Sequence, residues 1–383
     1  MNGQGARTEV VRVADHHLPA LAEFIAQTWD PNASAAGLRK ARSFAATENP
    51  AAGGQEPPTF LLLSAGRALG HVTTIPIRLW HAGELTPAHW IKGLMVLPEH
   101  RNGPVGFMVL KEAVNRLDTA LAMVVQPAPR KLFQALGFTD LGALPNHIRI
   151  LNPAQFARRL DLDGVGLASV PRWVHTALRL AQRSGLASLG GALVAAATGL
   201  WLVARTGRTS GLVTHAPAEI DENACDQLWI RSRGQIEAAP ARDGSYYRWR
   251  YHKSETDRYL AGTVHDDSGL QGIVFVRRPR RNGDPRLAGL RVATLSDLLF
   301  PPDRSDVGLA LLATAERLAR QLGADALLCS ASHFAIGPLL RRRAFLRLPG
   351  NVHALVRWPN VELAPQLDRW WLTRGDSSAD EVF

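Results

Sequence analysis

The stretch Gly93-Leu94-Met95-Val96-Leu97-Pro98-Glu99-His100-Arg101-Asn102-Gly103-Pro104-Val105-Gly106-Phe107-Met108-Val109-Leu110-Lys111-Glu112-Ala113 decides the fold. Leu94 to Leu97 is an apolar run, long enough for a buried strand. Pro98 to Gly106 reads as a turn holding an arginine, an asparagine and two glycines. Phe107, Val109, Leu110, Ala113, Val114 and Leu117 fall at helical spacing. Strand, glycine-containing turn and helix together make the plan of an anion cradle. The first amides of a helix have no acceptor within it, and the helix dipole adds partial positive charge there. Arg101 adds a planar donor suited to phosphate.

Working outward, Thr8 to Val13 alternates as a half-buried strand does, and Leu18 to Trp29 is amphipathic. Ser34 is placed to cap a second helix that runs to Ala46. Strands follow at Phe60 to Leu63, His71 to Leu79, Trp90 to Leu97, Leu121 to Val125 and His147 to Leu151. A short helix from Arg130 to Leu136 stops at Gly137. This predicts a mixed α/β domain over residues 1–151. Residues 152–216 differ: 184–204 carry no charge but are rich in glycine and alanine, and arginines flank them on both sides. The reading is a helical linker packed between the domains, with an in-plane membrane helix and a membrane span as the alternatives. A second α/β domain is expected over 217–360, with a hairpin around Asp266-Asp267-Ser268-Gly269, a strand to Leu299 and a helix from Val307 to Leu322. Residues 361–383 read as a C-terminal tail, acidic, polar and without structure after Thr373.

The chain has 383 residues, a net charge of +10, 46% hydrophobic and 20% charged residues. That composition builds cores and excludes wholesale disorder. The positive balance favours an anionic partner, but the arginines are spread along the chain, which disfavours nucleic acid. Two distant cysteines, Cys225 and Cys329, exclude a disulfide framework. The polar N-terminus has no apolar signal core, so a cytoplasmic setting is expected, with membrane association through 172–204 as the alternative.

The two halves echo each other. Leu97-Pro98-Glu99-His100-Arg101 matches Phe300-Pro301-Pro302-Asp303-Arg304, and Val105-Gly106 matches Val307-Gly308. Leu121 to Val125 matches Ala326 to Ser330, and Leu132 to Phe138 matches Leu339 to Phe345. The order and spacing indicate a duplicated unit.

Val96-x-Pro98-Glu99-x-Arg101-x-x-x-x-Gly106 followed by a helix resembles the acyl-CoA motif of the GNAT superfamily of N-acetyltransferases. Leu132-Phe133-x-x-Leu136-Gly137-Phe138 is similar to a later segment of that family. The resemblance covers about residues 7–151, with a weaker copy at about 217–358. It implies tandem acyl-CoA N-acyltransferase-like domains, with acetyl-CoA or another acyl-CoA as co-substrate and no metal. The amides of Val96 and Leu97 would align the pantetheine arm. The turn from Arg101 through Asn102, Gly103, Val105 and Gly106 to Phe107 would hold the pyrophosphate. The sequence departs from the pattern in several places. The family's first glycine falls on Pro104, which has no N–H, unless Gly103 takes its place. The tyrosine that often serves as general acid falls on Phe133, and Gln126 stands where asparagine is frequent. In the second copy Asp306 would repel a pyrophosphate, so that copy reads as degenerate.

Transfer of an acyl group from a thioester to an amine needs a proton acceptor and donors for the oxyanion. The candidate acceptors are His89 and Glu84 in the first domain. Asp297 is the second domain's candidate, a charge in an apolar strand that must pair with an arginine or face a cleft. His333 is a further titratable group. Arg248-Trp249-Arg250-Tyr251 reads as amphipathic packing. The expectation is an acyltransferase acting on a small-molecule or protein amine. The alternative is a catalytically inactive binding or scaffold protein that keeps the GNAT fold, and a third reading adds a peripheral membrane contact through 172–204.

Overall fold

The structure is a computed structural model that describes residues 8–124, 126–159, 211–252, 258–279, 289–358, 366–377 and 380, with isolated positions between 176 and 184. Most of the expected linker, including 185–204, lies outside the described residues. The chain forms two compact units, Met1–Ala143 with Asn351–Gln366, and Leu144–Gly350 with Leu367–Phe383.

The first unit is built on strands β1 (Thr8–Arg12), β2 (Thr59–Ser64), β3 (Arg67–His81), β4 (Glu84–Val96), β5 (Ala120–Val124), β6 (Thr139–Ala143) and β15 (His353–Arg357). Their order is β1-β2-β3-β4-β5-β15-β6. β4 and β5 are parallel, and the other neighbours are antiparallel. The apolar run of β2 is continuous because both faces of the sheet are covered. Phe60 and Leu62 pack with Val109, Leu110 and Ala113 of α3 (Val105–Val114). Leu61 and Leu63 pack with Leu18, Leu21 and Phe24 of α1 (Leu18–Thr28). Ser34 caps α2 (Ala35–Glu48) by accepting from Gly37 N at 3.1 Å. Arg357 on β15 donates to the carbonyls of Val114 and Leu117 at 3.2 and 3.1 Å, which satisfies acceptors at the end of α3.

One irregularity shapes the centre of this sheet. His71 pairs with Met95 and Thr73 with Lys92, so β4 carries one residue more than β3 between these pairs, a β-bulge. Gly93 adopts φ +63° there, a conformation that favours glycine. The buried His71 ring closes the bulge, with Nδ1 2.9 Å from Gly93 O. Burial holds His71 down at about 4. The ring is therefore neutral at pH 7, and a bond to a carbonyl requires Nδ1–H to donate.

The second unit repeats the plan. It uses β7 (Asn146–Ile150), β8 (Val213–His215), β10 (Tyr259–Asp266), β11 (Gly269–Arg277), β12 (Val292–Leu299), β13 (Ala326–Ser330) and β14 (Leu346–Leu348), and β9 (Ala238–Pro240) is a short strand of the same unit. The sheet order is β14-β7-β13-β12-β11-β10-β8. The parallel step is again single, β12 on β13, and β12 also carries a bulge, between the Phe275–Asp297 and Val276–Leu295 pairs. The helices are α5 (Pro153–Arg159), α6 (Glu222–Arg233), α7 (Gly244–Tyr247), α8 (Ser305–Gln321) and α9 (Ile336–Arg342); α4 (Pro127–Ala135) belongs to the first unit.

Three sequence expectations are corrected here. The boundary at 151 assigns β7 to the first domain, and the span 217–360 assigns β15 to the second. The pairing is the reverse: β7 lies between β13 and β14, and β15 between β5 and β6. The physical anchors agree with the pairing. Arg149 of β7 reaches Glu316 of α8 at 3.8 Å, and Arg357 of β15 caps α3. The linker span 152–216 also contains structured parts, since α5 packs with its Arg159 on Asp325 at 2.9 Å and β8 pairs with β10. Finally, the expected structureless tail is core where it is described. Beyond Thr373, Arg374, Asp376, Ser377 and Asp380 are all buried.

That tail closes a buried ionic network. Arg242 donates through Nε to Asp297 Oδ1 at 3.1 Å and through Nη2 to both oxygens of Asp376 at 2.7 Å. Thr373 Oγ1 donates to Asp297 at 3.1 Å. All four side chains are buried. Burial pushes the Asp297 carboxyl up to about 6, against the pull of Arg242.

Two outcomes follow. Arg242→Met strands two carboxylates and is expected to cost about 3–5 kcal/mol, whereas Arg67→Met, whose partner Glu99 sits in an ion pair about half exposed on both sides, leaves stability unchanged within error. Urea unfolding of both variants distinguishes them, and equal losses contradict the network. His71→Leu leaves Gly93 O unsatisfied and should lose about 1–3 kcal/mol at pH 7. Between pH 6.5 and 4 the unfolded chain protonates this histidine while the folded chain does not, so the wild type loses stability in that window. The gap between wild type and His71→Leu therefore shrinks from pH 7 to pH 4.5; a constant gap contradicts a neutral, buried His71.

Candidate functional site

The parallel step between β4 and β5 is short. Only His89–Ala120 and Trp90–Leu121 are paired, although β4 runs on to Val96 and β5 to Val124. Beyond Trp90 the two strands diverge into a wedge, and the bulge at Gly93 lies along its β4 wall. Among the described residues no strand pairs with that wall. Leu97 N donates to Leu69 O of β3 at 3.0 Å. Since main-chain groups alternate sides along a strand, those of Val96 and Leu94 face the wedge. Of the two amides implicated by the sequence, Val96 is therefore open to a ligand and Leu97 is taken up by the sheet.

The mouth of the wedge is the turn and the start of α3. His100 N, Arg101 N and Gly103 N donate to Leu97 O, Pro98 O and His100 O, so Gly103 does not replace the missing donor at Pro104. Pro104 is the N-cap, and its carbonyl accepts from Met108 N at 2.9 Å. The amides of Val105, Gly106 and Phe107 precede that first helical bond and have no acceptor within the helix. The first turn carries no acidic residue. β3 reaches this helix end closely: a Cβ at Gly70 would sit 2.5 Å from Val105 Cγ1. At Gly106 a Cβ would meet Val96 Cγ2 at 3.4 Å, so α3 starts directly over the end of β4.

Arg101 folds back across this mouth. Its Nε donates to Val96 O at 3.3 Å, and the side chain is exposed. Among the described residues its terminal amino groups meet no carboxylate. The matching arginine of the second copy is neutralised. Arg304 is held by Asp306 at 2.8 and 3.0 Å and by Asp266 at 3.3 Å, and Asp306 lies in the first turn of α8. The hydrogen bond from Arg304 and the Asp306 charge raise one partner and lower the other, as in a closed ion pair.

His89 sits at the apex of the wedge, where its amide donates to Thr119 O at 3.1 Å. Burial lowers its pKa, with Asp118 opposing, so the imidazole is neutral at pH 7. From His89 to Val96 is ~23 Å of extended strand. Glu84 begins β4 on an exposed turn. Phe133 is buried edge-to-face against Phe138, with ring centroids 5.0 Å apart. It is packing, and supplies no proton. His89 lies on β4 of the first unit and Asp297 on β12 of the second. Asp297 takes the arginine-paired option. His333 is buried against Trp371 and Phe334, and burial lowers it to about 4. Arg248 to Tyr251 is packing: Trp249 and Tyr251 are buried, and Arg250 donates to the carbonyls of Gly375 and Ser377. Sequence reasoning missed His71, which pairs with Met95 and reaches Gly93 O across the bulge, a role with no local signal. Among the described residues there is no cluster of three metal-capable side chains, and no helix long and apolar enough to cross a membrane.

No protein-family profile and no curated protein matches the chain. Solved structures do. A probable N-acyltransferase from Enterococcus faecalis V583 superposes with a TM-score of 0.56 at 8% identity, over 93% of this chain and 74% of that one. A GCN5-related N-acetyltransferase from Anabaena variabilis gives 0.56 at 12% identity, over 93% and 74%. Saccharomyces cerevisiae N-myristoyltransferase with bound myristoyl-CoA gives 0.54 at 13% identity, over 93% and 85%. The chain has the mixed α/β fold of the GNAT N-acyltransferases.

Proposed function

We propose that the first unit binds an acyl-CoA in the wedge between β4 and β5 and transfers its acyl group to an amine. The observation that carries this is the electrostatic asymmetry of the two copies. Only the first pairs a helix start free of acid with an arginine that meets no carboxylate. The pyrophosphate would lie on the amides of Val105, Gly106 and Phe107, with Arg101 beside it and Asn102 at the turn. The pantetheine arm would run along β4, with Val96 as main-chain partner. The thioester would then point toward His89.

The chemistry needs little more. The amine attacks the thioester carbonyl, and the oxygen that gains charge is held by main-chain N–H of the β4 wall. Neutral His89 accepts the amine proton, directly or through water. Collapse expels the CoA thiolate, which takes up a proton. The acceptor is a small-molecule or protein amine. A second reading, a binding protein without chemistry, is favoured by the buried Phe133 at the position of the usual acid.

Calorimetry with acetyl-CoA tests the first step. Arg101→Glu removes a charge-assisted contact and reverses its sign, so affinity should fall at least ~10-fold, about 1.4 kcal/mol. Unchanged affinity removes the turn from the site. Thiol release across a panel of amines tests the second. The acidic limb of kcat/KM should lie below pH 6.5, where His89 takes up its proton, and His89→Gln should abolish that limb and cut the rate ~10²–10⁴-fold without altering acetyl-CoA affinity. Binding with no thiol release for any amine would establish the binding-protein reading instead.

A further inference from the structure

The second sheet contains the same wedge, and its contents can be named. β12 and β13 are paired from Val292–Ala326 to Leu295–Cys329, and the pairing stops there although β12 runs on to Leu299. The bulge at Ser296 lies at that point. The segment Trp370 to Asp376 enters the gap and bonds to both walls. On the β13 side Thr373 forms an antiparallel bridge with Ala331, Ser332 N donates to Leu372 O at 3.0 Å, and Leu372 N donates to Ser332 Oγ at 2.9 Å. Ser332 Oγ also donates to the carbonyl of Trp370, and Arg374 Nε donates to Ser330 Oγ at 3.1 Å. On the β12 side Trp371 Nε1 donates to Leu298 O at 2.8 Å, and Thr373 Oγ1 to Asp297 Oδ1 at 3.1 Å. Trp371 N is held from behind by Ala238 O at 2.8 Å.

We infer that the wedge of the second unit is a peptide-binding groove whose ligand is the chain's own segment Trp370–Asp376, so that the protein takes one acyl-CoA per chain and not two. The groove is built for a peptide in three respects. Main-chain groups of the segment bond to Ala331 and Ser332, as an added strand does. Two tryptophans supply the apolar anchors, with Trp371 against Phe300 at 5.3 Å and His333 at 4.7 Å. The ionic lock of Arg242, Asp297 and Asp376 fixes the register at its far end. Gly375 admits the closest approach: a Cβ there would collide with the Tyr251 hydroxyl and stand 2.7 Å from Ser296 O. An acyl-CoA arm laid along β12 would have to displace all of these contacts, and at the mouth it would meet Asp306.

Hydrogen exchange on the full-length protein tests occupancy without reference to acyl-CoA. The amides of Trp371, Leu372 and Thr373 should exchange more than ~10³-fold slower than in an unstructured peptide. Rates within ~10-fold of the unstructured value overturn the groove. Gly375→Ala should speed exchange at these amides at least ~10-fold and leave β2 of the first unit unchanged, and identical rates in variant and wild type also overturn it. The stoichiometry rests on the reading of the first wedge as the cofactor site. Calorimetry should give one acetyl-CoA per chain, and in Arg101→Glu that one site weakened at least ~10-fold. Two sites in the wild type, or a site of unchanged affinity in the variant, overturn the single-site inference. If acetyl-CoA does not bind at all, the proposed function fails, and the exchange measurements still decide the groove.

Discussion

A strand that leaves its neighbour inside a sheet exposes a row of N–H and C=O groups, and buried main-chain groups must find partners. Both sheets meet this constraint at the same place. β4 leaves β5 after Trp90, and β12 leaves β13 after Leu295, each beside a one-residue bulge. The first bulge is held by Gly93 and the neutral ring of His71. In the second sheet the protein answers with its own segment. In the first, the wall formed by Leu94 and Val96 stays available to a ligand. One duplicated piece of geometry thus serves two ends.

Charge follows the same division. A helix start attracts anions when nothing nearby has already neutralised it. Arg101 and the first turn of α3 keep that property. Arg304 and α8 lose it to Asp306 and Asp266. Each copy is self-consistent: the helix start beside the filled gap carries an acid paired to its arginine, and the helix start beside the other wedge carries none.

Much of this was legible in the sequence because it is local. The strand–turn–helix around Arg101, the Ser34 cap, the hairpin at Asp266 to Gly269 and the repeat all depend on residues close in the chain. Asp297 was flagged by its charge in an apolar strand, and the structure supplies Arg242 as the reason it is tolerated. The strand partners were not legible. His147-Ile148-Arg149-Ile150 and His353-Ala354-Leu355-Val356-Arg357 have no local feature that selects one sheet over the other, and the choice is made by long-range contacts such as Arg149 with Glu316 and Arg357 with the end of α3. The stretch after Thr373 was misread from its polar composition, because the partners that bury it, Ser330 for Arg374 and Arg242 for Asp376, are far away in the chain. His71 left no trace because its role is fixed by a backbone conformation across the sheet.

The placement of β15 and of Trp370–Asp376 has a consequence for how the protein is made. A ribosome delivers β5 and β6 long before β15, which must sit between them, so the first sheet cannot close until β15 has emerged. The second sheet has β7 early but lacks its filler until the stretch after β15 emerges. Both units are therefore completed by the same late stretch of chain, and until then each presents an open strand edge of the kind that invites wrong pairing. Cutting the gene between 151 and 217 would give two fragments, each carrying a strand that belongs to the other.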